Sequence, residues 1–328
     1  SSPRTIGGLE FEPDLVWLKD RSGSNWHRWQ NSVVGANKLL YSNSENGEAT
    51  DENNGHINAF TNDGFILDDA SGGAVNTNGS NYIAWCWKAG GTAVTNNDGS
   101  ITSSISANQE AGFSIVTFTG TGSAGTVGHG LGKAPAVVIT KRRNASQAWF
   151  THHKNISNGH YLRLNGVNGQ GGDTNVYPNN MSTTNTFAVG GDDGVNGNGS
   201  TYVSYCWAEI PGYSKFGSYK GNGNANGPYV ECGFRPSLVI YKRITNNDNW
   251  GMHDSARDPY NPVYRFLYPD LNNAEWSSGS QDYFEFYSSG FKLSQNATMT
   301  NGNGESYIFM AWAEQPEVTP FGSQSNAR

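Results

Sequence analysis

Several of the ten tryptophans in this 328-residue chain stand beside polar side chains in an order that suits sugar recognition. In an extended segment Trp149, Thr151 and His153 alternate onto one face, as do Trp250, Met252 and Asp254, and His27, Trp29 and Asn31. An aromatic ring covers the apolar C–H face of a pyranose while planar polar groups bind its hydroxyls. Trp26, Arg28, Trp29, Trp149, His153, Trp250, Asp254 and Arg257 are therefore the candidate ligand residues. The competing reading is a core role, since core positions must recur in every copy of a repeat. The extra Trp26/Trp29 pairing and Trp276 are harder to assign to a core.

Other chemistry has less support. Asp192-Asp193-Gly194-Val195-Asn196-Gly197-Asn198-Gly199 alternates oxygen donors with glycines and could wrap a hard cation, with Asp192, Asp193 and Asn196 as ligands for Ca2+. A turn before the following strand explains the same residues without metal. The acidic pairs Asp192–Asp193 and Asp254–Asp258 are the nearest approach to a glycosidase dyad, and nothing in the sequence makes either converge on one bond. No histidine pair has zinc-ligand spacing, no Ser sits in a nucleophile elbow, and no phosphate-binding glycine loop joins a strand to a helix. The expectation is a protein that is not an enzyme.

The elements that would position these residues are written three times. Asn198-Gly199-Ser200-Thr201-Tyr202-Val203-Ser204-Tyr205-Cys206-Trp207 recurs as Asn303 to Trp312 and as Asn78 to Trp87, always with Tyr five residues before Trp. Pro13, Pro135 and Pro236 each open a short apolar run that reaches a Lys six residues on. Spacings of this size indicate three domain-sized units rather than solenoid rungs. The apolar runs are too short for helices and read as strands buried on both faces. In the Tyr-to-Trp phrase, Tyr202, Ser204 and Cys206 point one way, and Val203, Tyr205 and Trp207 the other. Each unit is expected to close on a further strand, at Phe113–Phe118, Phe216–Tyr219 and Phe321–Gln324, with Gly-rich linkers after the first two. The polar stretch from Gly90 to Ala111 reads as a surface excursion. The expected fold is all-β: three tandem β-sandwich, jelly-roll-like domains over residues 1–123, 124–226 and 227–328.

Composition agrees. Only 15% of residues are charged, yet mean hydropathy is −0.60, so Asn, Ser, Thr and 42 glycines carry the polarity. A net charge of −7 without a long basic run argues against nucleic acid, and no apolar stretch is long enough to insert in a membrane. Three cysteines at unmatched or equivalent positions predict no disulfide framework. Ser at position 1 suggests a trimmed start.

The strings Pro13-Asp14-Leu15-Val16-Trp17-Leu18-Lys19-Asp20-Arg21, Tyr82 to Gly91, Asp98 to Ser103, Gly112 to Val116, Gly128 to Leu131, Glu314-Gln315-Pro316 and Asn326-Ala327-Arg328 resemble marine bacteriophage tail-fibre and virion structural proteins. The resemblance runs over nearly the whole chain and assigns no catalytic or ligand residue. It implies a repeated β-rich domain at the distal part of a phage fibre or on the virion surface. The function expected on this basis is an extracellular virion appendage that adsorbs to host surface polysaccharide through multivalent contacts, joined to other virion subunits and forming a homo-oligomer such as a trimer. A purely structural virion role, as capsid decoration or tail-associated assembly protein, is the alternative.

Overall fold

The computed structural model describes residues 2–50, 55–68, 74–277 and 284–314. The first third contains β1 (Arg4–Ile6), β2 (Leu15–Asp20), β3 (Arg28–Asn31), β4 (Gly35–Tyr41), β5 (Ile57–Thr61), β6 (Gly64–Leu67) and β7 (Tyr82–Trp87). The middle contains β8 (Val94–Asn96), β9 (Ser103–Asn108), β10 (Phe113–Thr119), β11 (Gly125–Gly128), β12 (Val137–Arg142), β13 (Phe150–His153) and β14 (His160–Arg163). It continues through β15 (Gly171–Gly172), β16 (Thr186–Val189), the one-turn helix α1 (Asp193–Asn196) and β17 (Thr201–Trp207). The last third contains β18 (Ser214–Lys220), β19 (Tyr229–Glu231), β20 (Leu238–Arg243), β21 (Gly251–Asp254), β22 (Phe284–Tyr287), β23 (Gly290–Leu293), α2 (Thr298–Asn301) and β24 (Ser306–Trp312). The chain is all-β.

Each unit is built on its Pro-to-Lys strand. β2, β12 and β20 each lie between a hairpin partner and the Tyr-to-Trp strand, all antiparallel. The orders β7-β2-β3-β4 and β17-β12-β13-β14 are Greek keys, three hairpin-linked strands with the fourth returning beside the first. A small second sheet (β1-β6-β5, β11-β16 or β19-β23-β22) belongs to each unit.

Two expectations are revised by the pairing. β10 and β18 do not close the units they follow; β10 pairs along its length with β17 and β18 with β24, so each opens the next unit. Boundaries at 123 and 226 would therefore sever these strands from the sheets they complete. The stretch from Gly90 to Ala111 is not an excursion either, because β8 and β9 extend the middle sheet to eight strands. The third proposed closing segment, 321–324, lies outside the described residues.

The larger revision concerns the core. Each unit has a private interior, with residues such as Val16 and Phe65, Val138 and Phe187, or Val239 and Phe291. The opposite faces of the three large sheets join one common interior containing Leu15, Trp29, Val137, Trp149, Ile240 and Trp250. Three self-contained sandwiches are thus replaced by one molecule with a shared centre. Strand alternation explains the division. Tyr202 and Cys206 face the private core, while Val203, Tyr205 and Trp207 face the common one.

At the centre the repeated tryptophans meet. The ring centroids of Trp87, Trp207 and Trp312 are 6.0, 5.6 and 6.0 Å apart, with interplanar angles of 70°, 70° and 68°. Such edge-to-face packing favours aromatic quadrupoles. Near-equal spacing of three equivalent residues marks an internal pseudo-threefold arrangement. The repeated tyrosines act locally instead. The hydroxyls of Tyr82, Tyr202 and Tyr307 each accept from the backbone N–H five residues earlier, at Thr77, Gly197 and Gly302.

Candidate functional site

Most of the residues singled out for ligand binding belong to the seams between units. Trp149 is buried, and its indole Nε1 donates across the seam to the carbonyls of Tyr41 (2.8 Å) and Ser44 (3.2 Å). Trp250 does the same to Arg163 O at 2.9 Å. The equivalent position in the first unit is His27, fourteen residues after its Pro as Trp149 and Trp250 are after theirs. His27 lies against the Tyr268 backbone, and its Nδ1 accepts from Trp17 Nε1 at 2.8 Å. Each unit therefore grips the preceding one, and the third docks back on the first.

The flanking backbone repeats the pattern. Glu48 N donates to Arg143 O at 2.6 Å, Gln170 N to Ile244 O at 3.0 Å, and Glu275 N to Arg21 O at 2.9 Å. Two of the three buried lysines of the Pro-to-Lys strands add to the seams: Lys141 Nζ donates to Glu45 O (3.0 Å) and Lys242 Nζ to Val167 O (2.9 Å). Burial pushes Lys19, Lys141 and Lys242 each down to about 8, against the carboxylates that face them. Lys19 instead reaches carbonyls of its own loop, including Gly23 O at 2.9 Å.

Five of the six remaining predicted residues are also internal. Trp29 is buried among Trp17, Trp149 and Tyr205. Arg28 is buried, with its guanidinium 5.4 Å from the Tyr41 ring centroid. His153 is buried, with Nε2 3.2 Å from Phe309 O. Arg257 forms a buried pair with Asp254 (2.6 Å), reaches Glu275 (3.2 Å) and lies over the Trp85 ring. Glu275 also binds Arg21 at 2.8 Å, so this network joins the third unit to the first. A surface sugar platform of Trp29, Trp149 and Trp250 is thus not what these rings form. Trp26 alone of the eight is well exposed, at 40%, resting edge-on against Tyr41.

The Asp/Asn/Gly loop spends its oxygens on protein. Asp192 caps α1 by accepting from Gly194 N at 2.7 Å, and Asp193 pairs with Arg142. Buried Asn196 accepts from Thr121 N (2.9 Å) and donates to Ser123 O (2.7 Å) and Gly190 O (2.8 Å). Asn301 grips the 222–224 linker in the same way, accepting from Asn222 N at 2.8 Å and donating to Asn224 O at 2.8 Å. Of the three proposed Ca2+ ligands, Asn196 thus clamps the linker, Asp192 caps α1 and Asp193 pairs with Arg142 of β12. Among the described residues no cluster of three His, Cys, Asp or Glu could hold a metal. The nominated acids Asp254 and Asp258 are engaged by Arg257 and by the backbone of Tyr264 and Arg265. All three cysteines are free, and no described helix is long and apolar enough to cross a membrane.

One pair of exposed aromatic rings lies where the threefold pattern is broken. Tyr229 on β19 and Tyr287 on β22 are 45% and 41% exposed, with ring centroids 6.0 Å apart at 65°. The strand between them carries Gly290 opposite Glu231 and Tyr287, and Lys292 opposite Tyr229 and Glu285. A side chain at Gly290 would clash with the Val230 carbonyl oxygen and meet the Tyr229 hydroxyl at 3.0 Å, so glycine is needed where the β23 backbone approaches β19 beneath the rings. Tyr229 Oη lies 2.7 Å from Ser289 Oγ, and Tyr287 Oη donates to Glu285. In the other units Thr5 and Thr126 stand where Tyr229 does, by strand register. The pair was missed in the sequence because its members are 58 residues apart; the departure from a threonine shared by the other copies was the available signal.

A match to the family model DUF7483, a domain of unknown function, covers residues 1–316 and so spans all three units. Neither the curated proteins nor the solved structures contain a significant match. The chain belongs to the DUF7483 family.

Proposed function

We propose that the protein is the recognition module of a bacteriophage virion appendage, binding glycans on a host surface through the exposed face of β19-β23-β22. The supporting observation is the splayed Tyr229/Tyr287 pair, flanked by Glu231, Glu285 and Lys292. Two rings at an open angle offer apolar faces to a sugar, and the adjoining carboxylates and ammonium bind hydroxyls. Such rings are worth most when they are exposed beforehand and lose little rotamer freedom on binding. The aromatic pair occurs in one unit only, so the three repeats do not supply three sites. Multivalency then comes from several chains on one particle rather than from the repeat.

The test is a glycan array with the intact chain, followed by titration of the best oligosaccharide. Tyr229→Ala and Tyr287→Ala should each weaken binding at least tenfold with melting unchanged within about 2 °C, since exposed substitutions cost little stability. Retained affinity in both variants removes this site. Absence of any glycan binding favours a purely structural virion role.

A further inference from the structure

At two of the three seams an ion pair covers the joint between units. Glu48 binds Arg143 at 2.6 Å, and Glu275 binds Arg21 at 2.8 Å. Ile244 follows Pro236 by eight residues, as Arg143 follows Pro135 and Arg21 follows Pro13. Gln170 N donates to Ile244 O as Glu48 N and Glu275 N donate to the two arginine carbonyls. Gln170 and Ile244 therefore hold the places of the ion pair at the seam between the second and third units, and neither carries a charge. This seam has a groove of about 400 Å³ whose lining includes Tyr161, Arg163, Asn168, Gln170, Thr245 and Asn246.

Arg163 breaks the pattern as well. By the seam contacts of Trp149, Trp250 and His27, it stands where the other units have Tyr41 and Tyr268. Its guanidinium carbon lies 5.7 Å from the Phe150 ring centroid and 5.8 Å from that of Tyr161, and the two rings hold it in place. Arg21 and Arg143 both bind carboxylates, whereas Arg163 has no acceptor among the described residues. Packing seals off its Nε, so the terminal nitrogens are what a ligand can reach.

We propose that this groove binds a carboxylate-bearing sugar, with Arg163 taking the carboxylate. The N–H groups of a guanidinium form a planar fork that matches a carboxylate through two parallel bonds. Tyr161 adds a half-buried ring beside it. A side chain at Gly171 would lie 3.4 Å from that ring, so glycine leaves it uncovered for the apolar face of a sugar. Gln170 Oε1 already accepts from Ser157 N at 2.8 Å, which leaves its amide N–H groups to donate to a sugar oxygen. Asn246 Nδ2 donates to Glu305 at 3.2 Å, which leaves its side-chain oxygen to accept from a hydroxyl. Glu305 is held by Thr245 and Asn246 and is not part of the lining. The groove shares no residue with the Tyr229/Tyr287 pair and does not depend on it.

Calorimetric titration of the full chain with sodium glucuronate tests the proposal, with glucose and acetate as the two halves of that ligand. Glucuronate should bind at least about tenfold more tightly than either, since it alone joins a sugar ring to a carboxylate. Arg163→Gln should weaken it at least about tenfold, while Tyr229→Ala leaves it unchanged. Gln170→Glu combined with Ile244→Arg rebuilds the ion pair of the other two seams. This double variant should lose glucuronate binding with Tm lowered by no more than about 2 °C, and it decides the matter if Arg163→Gln fails to fold. Acetate binding as tight as glucuronate would make the groove a site for any carboxylate, an acidic peptide included, and overturns the proposal. Glucuronate binding no tighter than glucose overturns it too, as does binding undiminished in either folded variant. Loss of glucuronate binding in Tyr229→Ala would place the sugar on the tyrosine pair and likewise overturns it.

Discussion

His27, His153 and His253 are fully enclosed, and burial holds each well below the ordinary histidine range, His153 at about 3. His152 is held at about 4 for the same reason. An unfolded chain takes up these protons as pH falls through 6.5, the ordinary value, whereas the folded chain refuses them until far lower pH. Stability is therefore lost on acidification below about 6.5. Asp270 acts in the opposite sense, since burial lifts it to about 7 and its protonation favours the fold between that pH and 3.8. Four histidines outweigh one aspartate, and each net proton is worth about 1.4 kcal/mol per pH unit. Thermal melts from pH 7 to pH 4 should show a progressive fall in Tm; a flat profile contradicts the enclosure of these rings. At this scale the sequence misled where aromatics and polar groups alternate, because a seam that hydrogen-bonds an indole uses the same residue types as a sugar site. Tyr229 and Tyr287 had no local pattern at all and met only through strand pairing.

The strands were legible because their apolar runs and alternation are local. Their assignment to units was not. A tandem repeat shows its period in the sequence but not its phase, so β10 and β18 could equally end one unit or begin the next. Only the hydrogen-bonded register with β17 and β24 decides. The loops that carry Trp149 and Trp250 were likewise visible as recurring segments, while their partners on a neighbouring unit were not. The clasp makes a direct prediction. Trp149→Phe keeps most of the apolar contact but strands the Tyr41 and Ser44 carbonyls, and should cost about 1–3 kcal/mol in denaturant unfolding. Trp149→Ala should cost about 3–5 kcal/mol. A loss below about 0.5 kcal/mol for both variants would mean that the seam contributes little.

At the scale of the molecule, three homologous units in one chain make the contacts that a cyclic trimer makes between subunits. Each seam is heterologous, one surface of a unit against a different surface of the next, and such contacts must close on themselves or continue indefinitely. Here the third unit returns to the first through Glu275, Arg21 and the Tyr268 segment, and the rings of Trp87, Trp207 and Trp312 fill the axis. Repetition therefore builds the interior, and departures from repetition carry what distinguishes one face from another. The central claim is that this interior is common property. Native-state hydrogen exchange of Trp207→Phe against the unmodified chain tests it most directly. Removing part of one axial ring should lower the protection of β2, β12 and β20 together, by the same free energy within about 0.5 kcal/mol, because all three sheets open onto that core. Loss confined to β12, with β2 and β20 unchanged, would contradict the account.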